Sequence, residues 1–447
     1  MEIKRDNYLQ KLLDCRHNGM IKIITGMRRC GKSYLLFEIF YNYLISIGIS
    51  PSHIIKVDFE DRRNISLRDP DALLQFIDSK LIDNNMYYIL LDEIQHVREF
   101  EDVLNSYLKI KNADIYVTGS NSKFLSKDVI TEFRGRGYEI KLSPLSFAEF
   151  ASVHDGEPIN NLLLEYMTYG GLPQVVMLNK NQERENFLKS LFTNTYLRDI
   201  KDRYNIQLDN DLEDLITMLA SSIGGLTNPR KLENAFRSVK HSSISQDTIK
   251  KYIDYLKDAF LIEKAVRYDI KGKRYLDTPA KYYFEDLGLR NARLNFRQFE
   301  EPHLMENLIY NELRIRGMSV DVGEVVVNAI SPEGKNIRKY LEVDFVCNMG
   351  YKRYYIQSAY NIPDDAKREQ ELKSLRYIKD SFQKVVIVGN HISKYQNNDG
   401  ILFISLYDFL KDENSLRIWF HSIFLRNYAK ISNNYLDSLW ITYQLFY

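Results

Sequence analysis

Over the first 150 residues, short apolar runs alternate with amphipathic stretches. IKIIT (21–25), IIKVDFED (54–61), YYILLDEIQ (87–95) and ADIYVTGSN (113–121) are β-branched or aromatic runs of strand length. Between the first two, Leu35, Leu36, Ile39, Phe40 and Tyr43 recur at helical spacing. Strands separated by helical segments predict a parallel α/β sheet with a ligand at its carboxyl edge. From about 145 to 223 the pattern is helical throughout. A different order follows over 228–276. A helix from about Arg230 to Val239 precedes a turn ending at Ser245, a natural N-cap. A second helix carries Ile249, Tyr252, Ile253, Leu256 and Phe260 on one face, and strands LIEKAVRYD and KRYLD are joined by Lys271-Gly272. Helix, turn, helix and hairpin is the order of a winged helix. Further on, the pattern predicts an amphipathic helix over 303–317, a hairpin over 338–361 turning at Gly350, a helix over 364–381, and strands in QKVVIVGN and GILFISLYDFL.

Length and composition narrow the class. A chain of 447 residues exceeds one core and predicts two to four domains. Its 61 basic and 60 acidic residues cancel, so the whole chain is no electrostatic magnet for nucleic acid, although a local basic patch is compatible with that balance. Three scattered cysteines (Cys15, Cys30 and Cys347) argue against a disulfide scaffold. The charged N-terminus and the lack of a membrane-length apolar run predict a soluble cytoplasmic protein with no membrane partner.

The chemistry concentrates between the first strand and the first helix. GMRRCGKSY (26–34) is G-x-x-x-x-G-K-S followed by Tyr34, in the strand-to-helix setting of a phosphate-binding loop. Backbone N–H groups of Gly26, Met27, Arg28, Arg29, Cys30 and Gly31 would face phosphate at a helix N-terminus. Lys32 is placed to reach the β- and γ-phosphates, and Ser33 to ligate Mg²⁺. Cys30 reads as a small buried loop residue. The run ending in Asp92-Glu93 supplies a carboxylate to hold the metal through water and a second to orient or deprotonate an attacking water. Ser120 and Asn121, at the end of the fourth strand, are candidates to sense the γ-phosphate. Arg134 and Arg136 are candidates for a transition-state charge, with a surface ion-pair role as the plainer alternative.

Five stretches in order, GMRRCGKS, LLDEIQ, TGSNSKFLS, GRGYEIKLSPLSFAEF and YGGLPQVV, resemble the bacterial and archaeal AAA+ ATPases of the archaeal-type ATPase clade, those fused to a C-terminal domain of unknown function. The likeness runs to about residue 410. It implies a P-loop α/β domain with a helical lid, and ATP binding with hydrolysis through Gly26 to Ser33, Asp92 and Glu93. Gly170-Gly171-Leu172-Pro173 matches that family's glycine-proline lid signature; by pattern alone it is a helix-ending turn. Arg198 and Asp199 lie in a shared stretch and read first as an ion pair.

The expected organisation is therefore an AAA+ core over 1–143, a helical lid over 144–223, a winged-helix-like segment over 224–290, a restriction-endonuclease-like α/β domain over 291–410 and an aromatic-rich helical extension over 411–447. Lys250, Lys251, Lys257, Lys271, Lys273 and Arg274 offer the winged-helix segment a phosphate-contacting surface for DNA. In the fourth unit, Glu306 on a helix and Asp344 on a strand occupy the first two places of a nuclease site. The E-x-K position instead reads Gln357-Ser358-Ala359, which lacks a magnesium carboxylate and an ammonium. Lys367 and Lys373 are the candidates for a migrated lysine. The expected function is an Mg-ATP-driven conformational switch acting on nucleic acid, with ATP and Mg²⁺ as cofactors. A nucleotide-binding interaction scaffold with little turnover and a nucleic-acid binder with residual nuclease activity are the alternatives. The aromatic extension and the two arginines leave a homo-oligomer or a protein partner open.

Overall fold

The computed structural model describes residues 3–119, 135–154, 156–206, 209–240, 244–331 and 334–417. Strands β1 (Ile21–Thr25), β2 (Ile54–Asp58), β3 (Tyr87–Asp92), β4 (Ala113–Thr118) and β5 (Gly137–Lys141) form one parallel sheet in the order β2-β3-β4-β1-β5. Every residue of β1 and β3 is buried, because helices cover both faces. Ile24, Leu36 and Phe40 pack on one side; Ile21, Ile23, Leu73, Val103 and Leu104 pack on the other. That two-sided burial explains the unbroken apolar runs, since an exposed face would have shown as alternation. Lys22 is the exception inside β1. It is fully buried and paired with Asp114 of β4.

The helix after the loop starts at Lys32, loosens to π-helical turns over Leu35–Phe40 and tightens again over Tyr41–Ser46. The lid is helical as expected, from Ile159–Tyr169 through Asp209–Ser221. Pro173–Val176 begins one residue after the glycine pair, with Leu172 at the N-cap and the proline in the first turn, where no N–H is needed.

The second sheet holds eight strands: β6 (Ile262–Asp269), β7 (Arg274–Phe284), β8 (Ser319–Ile330), β9 (Asn336–Met349), β10 (Lys352–Ala359), β11 (Gln383–Val388), β12 (Tyr395–Gln396) and β13 (Leu402–Ser405). Their order is β12-β13-β11-β10-β9-β8-β6-β7. The helix-turn-helix and hairpin occur where the pattern put them, with the Ser245 hydroxyl accepting from Thr248 N at 3.1 Å to cap Gln246–Asp258. The hairpin is not a free wing, however. Arg267–Asp269 of β6 pair in parallel with Val322–Glu324 of β8, so the β6–β7 hairpin is the edge of the C-terminal sheet. The boundary drawn at 290 therefore cuts a continuous sheet. A hairpin's local pattern reveals its own turn and nothing about the strand on its open edge. Strand β8 was not anticipated either, although Val320, Val322, Val325 and Val327 mark it. Helix Glu301–Ile315 lies on one face of this sheet and helix Asp365–Arg376 on the other. Most of the aromatic extension, including Trp419, Phe420, Phe424, Trp440, Tyr443 and Phe446, lies outside the described residues.

Candidate nucleotide site

Strand β1 ends at Gly26, whose φ of +141° is open to glycine and strained for other residues. A side chain there also meets a wall: a Cβ would lie 2.1 Å from the Leu142 carbonyl oxygen. Gly31 sits at φ +100° and starts the helix. Lys32 is buried, and its ammonium donates to the Gly26 and Met27 carbonyls at 3.2 Å each and stands 3.8 Å from Glu93 Oε1. Asp92, at the end of β3, accepts from the Thr118 hydroxyl at the end of β4 and interacts with the Ser33 hydroxyl. Burial pushes its carboxyl up to about 6, while the Thr118 and Ser33 hydrogen bonds pull the other way. Glu93 takes a left-handed φ of +52°, and its N–H donates to Thr118 Oγ1 at 2.9 Å. A non-glycine residue held there is strained, and such strain gathers at functional sites.

Gly31, Lys32, Ser33 and Glu93 line a cavity of about 830 Å³, in the size range of small-ligand sites, and Asp92 adjoins it through Ser33. Its far wall is the lid, with Pro173, Asn194, Arg198, Asp199 and Asp202, and Ile3 and Arg5 close one side. Arg5 ties the N-terminal segment to the loop, donating to the Cys30 and Ser143 carbonyls at 3.3 and 2.9 Å and pairing with Glu149 at 2.9 Å. Across the cavity, Arg28 of the loop pairs with Asp199 of the lid at 2.9 Å, and the Tyr196 hydroxyl donates to the Arg28 carbonyl at 2.7 Å. Arg198 and Asp199 each form an ion pair, but with other residues: Arg198 with Asp202 at 3.6 Å, and Asp199 with Arg203 at 3.2 Å and with Arg28, which bridges loop and lid. The glycine-proline turn is held from behind. Gly171 N donates to the buried Asp286 at 2.8 Å, and a Cβ on Gly171 would lie 2.3 Å from the Leu145 carbonyl oxygen. Burial raises the Asp286 carboxyl to about 6 against the backbone donors that favour its charge.

Of the sequence candidates, the structure brings Lys32, Ser33, Asp92 and Glu93 together. Met27 and Cys30 are buried in the loop, and burial pushes the Cys30 thiol up, as befits a packing residue. Ser120, Asn121 and Arg134 lie outside the described residues. Arg136 does not join the site. It is exposed at the start of β5, where its carbonyl accepts from Ile21 N at 2.9 Å, at the opposite end of β1 from the loop. Four strand residues, about 13 Å, separate the two ends, so Arg136 cannot contact a nucleotide in its own chain. Thr118, Asp286 and the Arg28–Asp199 pair were missed by pattern reading. Only Thr118 had a signal, as the polar residue that ends β4.

Glu306 and Asp344 do come together, but around an unexpected residue. Lys281 of β7 contacts Glu306 Oε1 at 2.9 Å and Glu342 Oε1 at 2.7 Å. Burial opposes its charge, and Glu306, Asp344 and Glu342 outweigh that and raise its pKa. Asp344 accepts from Ser358 N at 2.7 Å, and burial and then Glu306 push its carboxyl up. Gly224, from the loop after the lid, stands where a Cβ would be 3.1 Å from the Glu306 carboxylate. Lys367 is instead paired with Glu371 at 2.6 Å, and Lys373 is exposed. Among the described residues no group of three His, Cys, Asp or Glu is placed to hold a metal, and no helix is long and apolar enough to cross a membrane.

Comparison with known proteins agrees with the site. An AAA domain matches residues 18–151, and a domain of unknown function matches residues 160–300. An uncharacterized protein of Haemophilus influenzae is 36% identical over 413 residues, covering 91% of this chain and 98% of that protein. One from Methanocaldococcus jannaschii is 29% identical over 367 residues, covering 79% and 77%. Among solved structures, the Aeropyrum pernix ORC1 protein in complex with DNA aligns over 66% of this chain and 92% of its own, with 11% identity and a TM-score of 0.33. Cdc6p from Pyrobaculum aerophilum aligns over 68% and 94%, with 11% identity and a TM-score of 0.27. Likenesses that loose carry no argument about ligand or activity. The loop and carboxylates at one sheet edge, the AAA domain over them, and a relative similar across nearly its whole length place the chain in the AAA+ family of P-loop ATPases.

Proposed function

We propose that the chain binds Mg·ATP between the loop and the lid, hydrolyses it, and uses the cycle to move the lid against the C-terminal sheet. The observation that carries this reading is that Lys32, Ser33 and Glu93 line one cavity walled by the lid, with Asp92 hydrogen-bonded to Ser33. The donor set fits the metal: a hydroxyl and a carboxylate are hard oxygen ligands of the kind magnesium takes. Magnesium bound with the nucleotide would neutralise charge on the β- and γ-phosphates. Lys32, now turned onto the Gly26 and Met27 carbonyls, swings to the phosphates; Glu93 orients water and accepts its proton.

The route outward supports a switch. Leu142, whose carbonyl abuts Gly26, follows Lys141, and Lys141 pairs with Glu263 at β6 and Glu285 beyond β7. The next residue, Asp286, holds the lid turn at Gly171. Two adjacent carboxylates at the end of β7 thus touch the core and the lid.

Phosphate release and nucleotide binding, measured on the same preparations, test the proposal. Lys32→Ala is expected to weaken ATP binding by about 10- to 100-fold through lost charged hydrogen bonds. Glu93→Gln should keep binding and slow turnover by about 100-fold or more. Normal turnover in Glu93→Gln would overturn its assigned role.

A further inference from the structure

Two stretches of this nearly neutral chain hold six cations and no acid. Residues 270–275 read IKGKRY and residues 334–340 read GKNIRKY. They meet because β6 pairs with β8. Ile270 N donates to the Glu324 carbonyl at 3.0 Å, and the Lys271 ammonium donates to the Val326 carbonyl at 2.7 Å. Val326 stands opposite Tyr340 of β9. The tip of the β6–β7 hairpin is therefore level with the start of a projecting arm. Beyond that level β8 and β9 pair only with each other: β6 reaches β8 at Val322–Glu324, and β10 reaches β9 at Phe345–Met349.

From Val326/Tyr340 to Ile330/Asn336 the ribbon runs about 13 Å. Residues 334–340 are all exposed, with Tyr340 at 60% and, on the neighbouring tip, Tyr275 at 60%. Most of the nearby acids have protein partners. Glu324 pairs with Arg267, and Asp269 accepts from Gly272 N and pairs with Arg274 of the tip itself at 3.5 Å, leaving Lys271 and Lys273 without a carboxylate pair among the described residues. Glu342 pairs with Lys281 but stays exposed, as does Asp277 beside the tip. The helix Gln246–Asp258 differs. Its Lys250 pairs with Asp247 at 3.1 Å and its Lys257 with Asp254 at 2.9 Å, so two of its three lysines are matched by acids of the same helix.

We propose that the hairpin tip and the β8–β9 ribbon form a surface for duplex DNA. A two-stranded ribbon fits the major groove, about 12 Å wide and 8.5 Å deep. Arg338 and Lys339, on opposite faces of the ribbon, enter the groove, while Lys271, Lys273 and Arg274 meet flanking phosphates. The proposal stands apart from the nucleotide site, and its test needs no ATP.

Fluorescence anisotropy of the full chain with a labelled mixed-sequence 30-base-pair duplex, over a potassium chloride series without nucleotide, decides it. Binding should weaken steeply with salt. Lys271→Ala/Lys273→Ala should flatten the log–log slope by about 1.8, for two phosphates, whereas Arg338→Ala/Lys339→Ala, which removes groove contacts, should change the slope less. Each should also weaken binding tenfold or more. Lys109→Ala/Lys111→Ala, which removes two exposed charges from the ATPase core, should change affinity less than twofold. If Arg338→Ala/Lys339→Ala does not fold, Arg338→Gln/Lys339→Gln replaces it. The proposal fails if tip and ribbon variants bind as the parent does. It fails equally if a single strand binds as tightly as the duplex, or if the loss appears instead in Lys250→Ala/Lys251→Ala.

Discussion

The two sheets each gather carboxylates, and they treat them in opposite ways. At the edge of the five-stranded sheet, Glu93 lines an 830 Å³ cavity together with Lys32 and Ser33, and Asp92 is hydrogen-bonded to Ser33 beside it. Asp92 is held by the hydroxyls of Thr118 and Ser33, and under the proposed function a metal supplied with a nucleotide would complete its charge. On the eight-stranded sheet, Glu306, Asp344 and the more exposed Glu342 face a buried lysine of their own chain, roofed near Gly224. The first arrangement is open to a visiting ion. The second carries its cation with it. Acidic residues at a strand end are therefore not enough to define a metal site; what stands opposite them decides.

The largest effect that would break this contrast comes from Lys281→Met. If the lysine is the internal counter-ion, removing it leaves carboxylates buried and unpaired, and the fold should lose about 3 kcal/mol at neutral pH. The loss should shrink toward pH 5, because protonation relieves Asp344, whose folded pKa is raised. Chemical denaturation at pH 5 and pH 8 checks both statements, and equal stability to the parent at pH 8 would remove the counter-ion role.

The next effect sharpens the open site. With Asp92 held near 6, a proton competes with magnesium below that pH. Affinity for Mg²⁺ in the ATP complex should be flat above about pH 7 and fall about tenfold per unit well below pH 6. Asp92→Asn should bind magnesium weakly at every pH and lose this dependence. Calorimetric titration of magnesium into the nucleotide complex between pH 5 and 8 reads it. A parent protein with the same affinity at pH 5 and 7 would place the titrating group elsewhere.

The smallest effect concerns the latch over the cavity. Arg28 and Asp199 are both partly exposed, so their pair contributes little, at most about 1 kcal/mol. Asp199→Asn should strengthen ATP binding by about two- to fivefold, since the carboxylate no longer holds Arg28 and no longer repels phosphate. Weaker binding in that variant would make Asp199 a support for the nucleotide rather than a competitor.

Much of the nucleotide site was legible because its geometry is local. Gly26, Gly31, Lys32 and Ser33 sit on one strand-to-helix turn, and Asp92-Glu93 end a neighbouring run that could only be a buried strand. Arg136 was misplaced because adjacency to a strand does not say which end it occupies. The parallel pairing of β1 and β5 puts it at the amino edge, opposite the loop. Lys281 was invisible for a related reason. It lies 25 residues before Glu306 and 61 before Glu342, on a hairpin whose outer pairing no local pattern encodes.

By itself, the sequence determined the strand periods, the phosphate loop with its two carboxylates, the caps and the missing E-x-K residues, all of them properties of neighbours along the chain. The tertiary structure alone decided that the hairpin joins the C-terminal sheet, that Lys281 fills the acidic cluster, that Arg28 meets Asp199, and that two cationic stretches about 60 residues apart share one surface. Those outcomes depend on which strand edges pair and which faces bury together. Such choices are set by long-range packing that competes over the whole chain, and a short window of residues does not contain it.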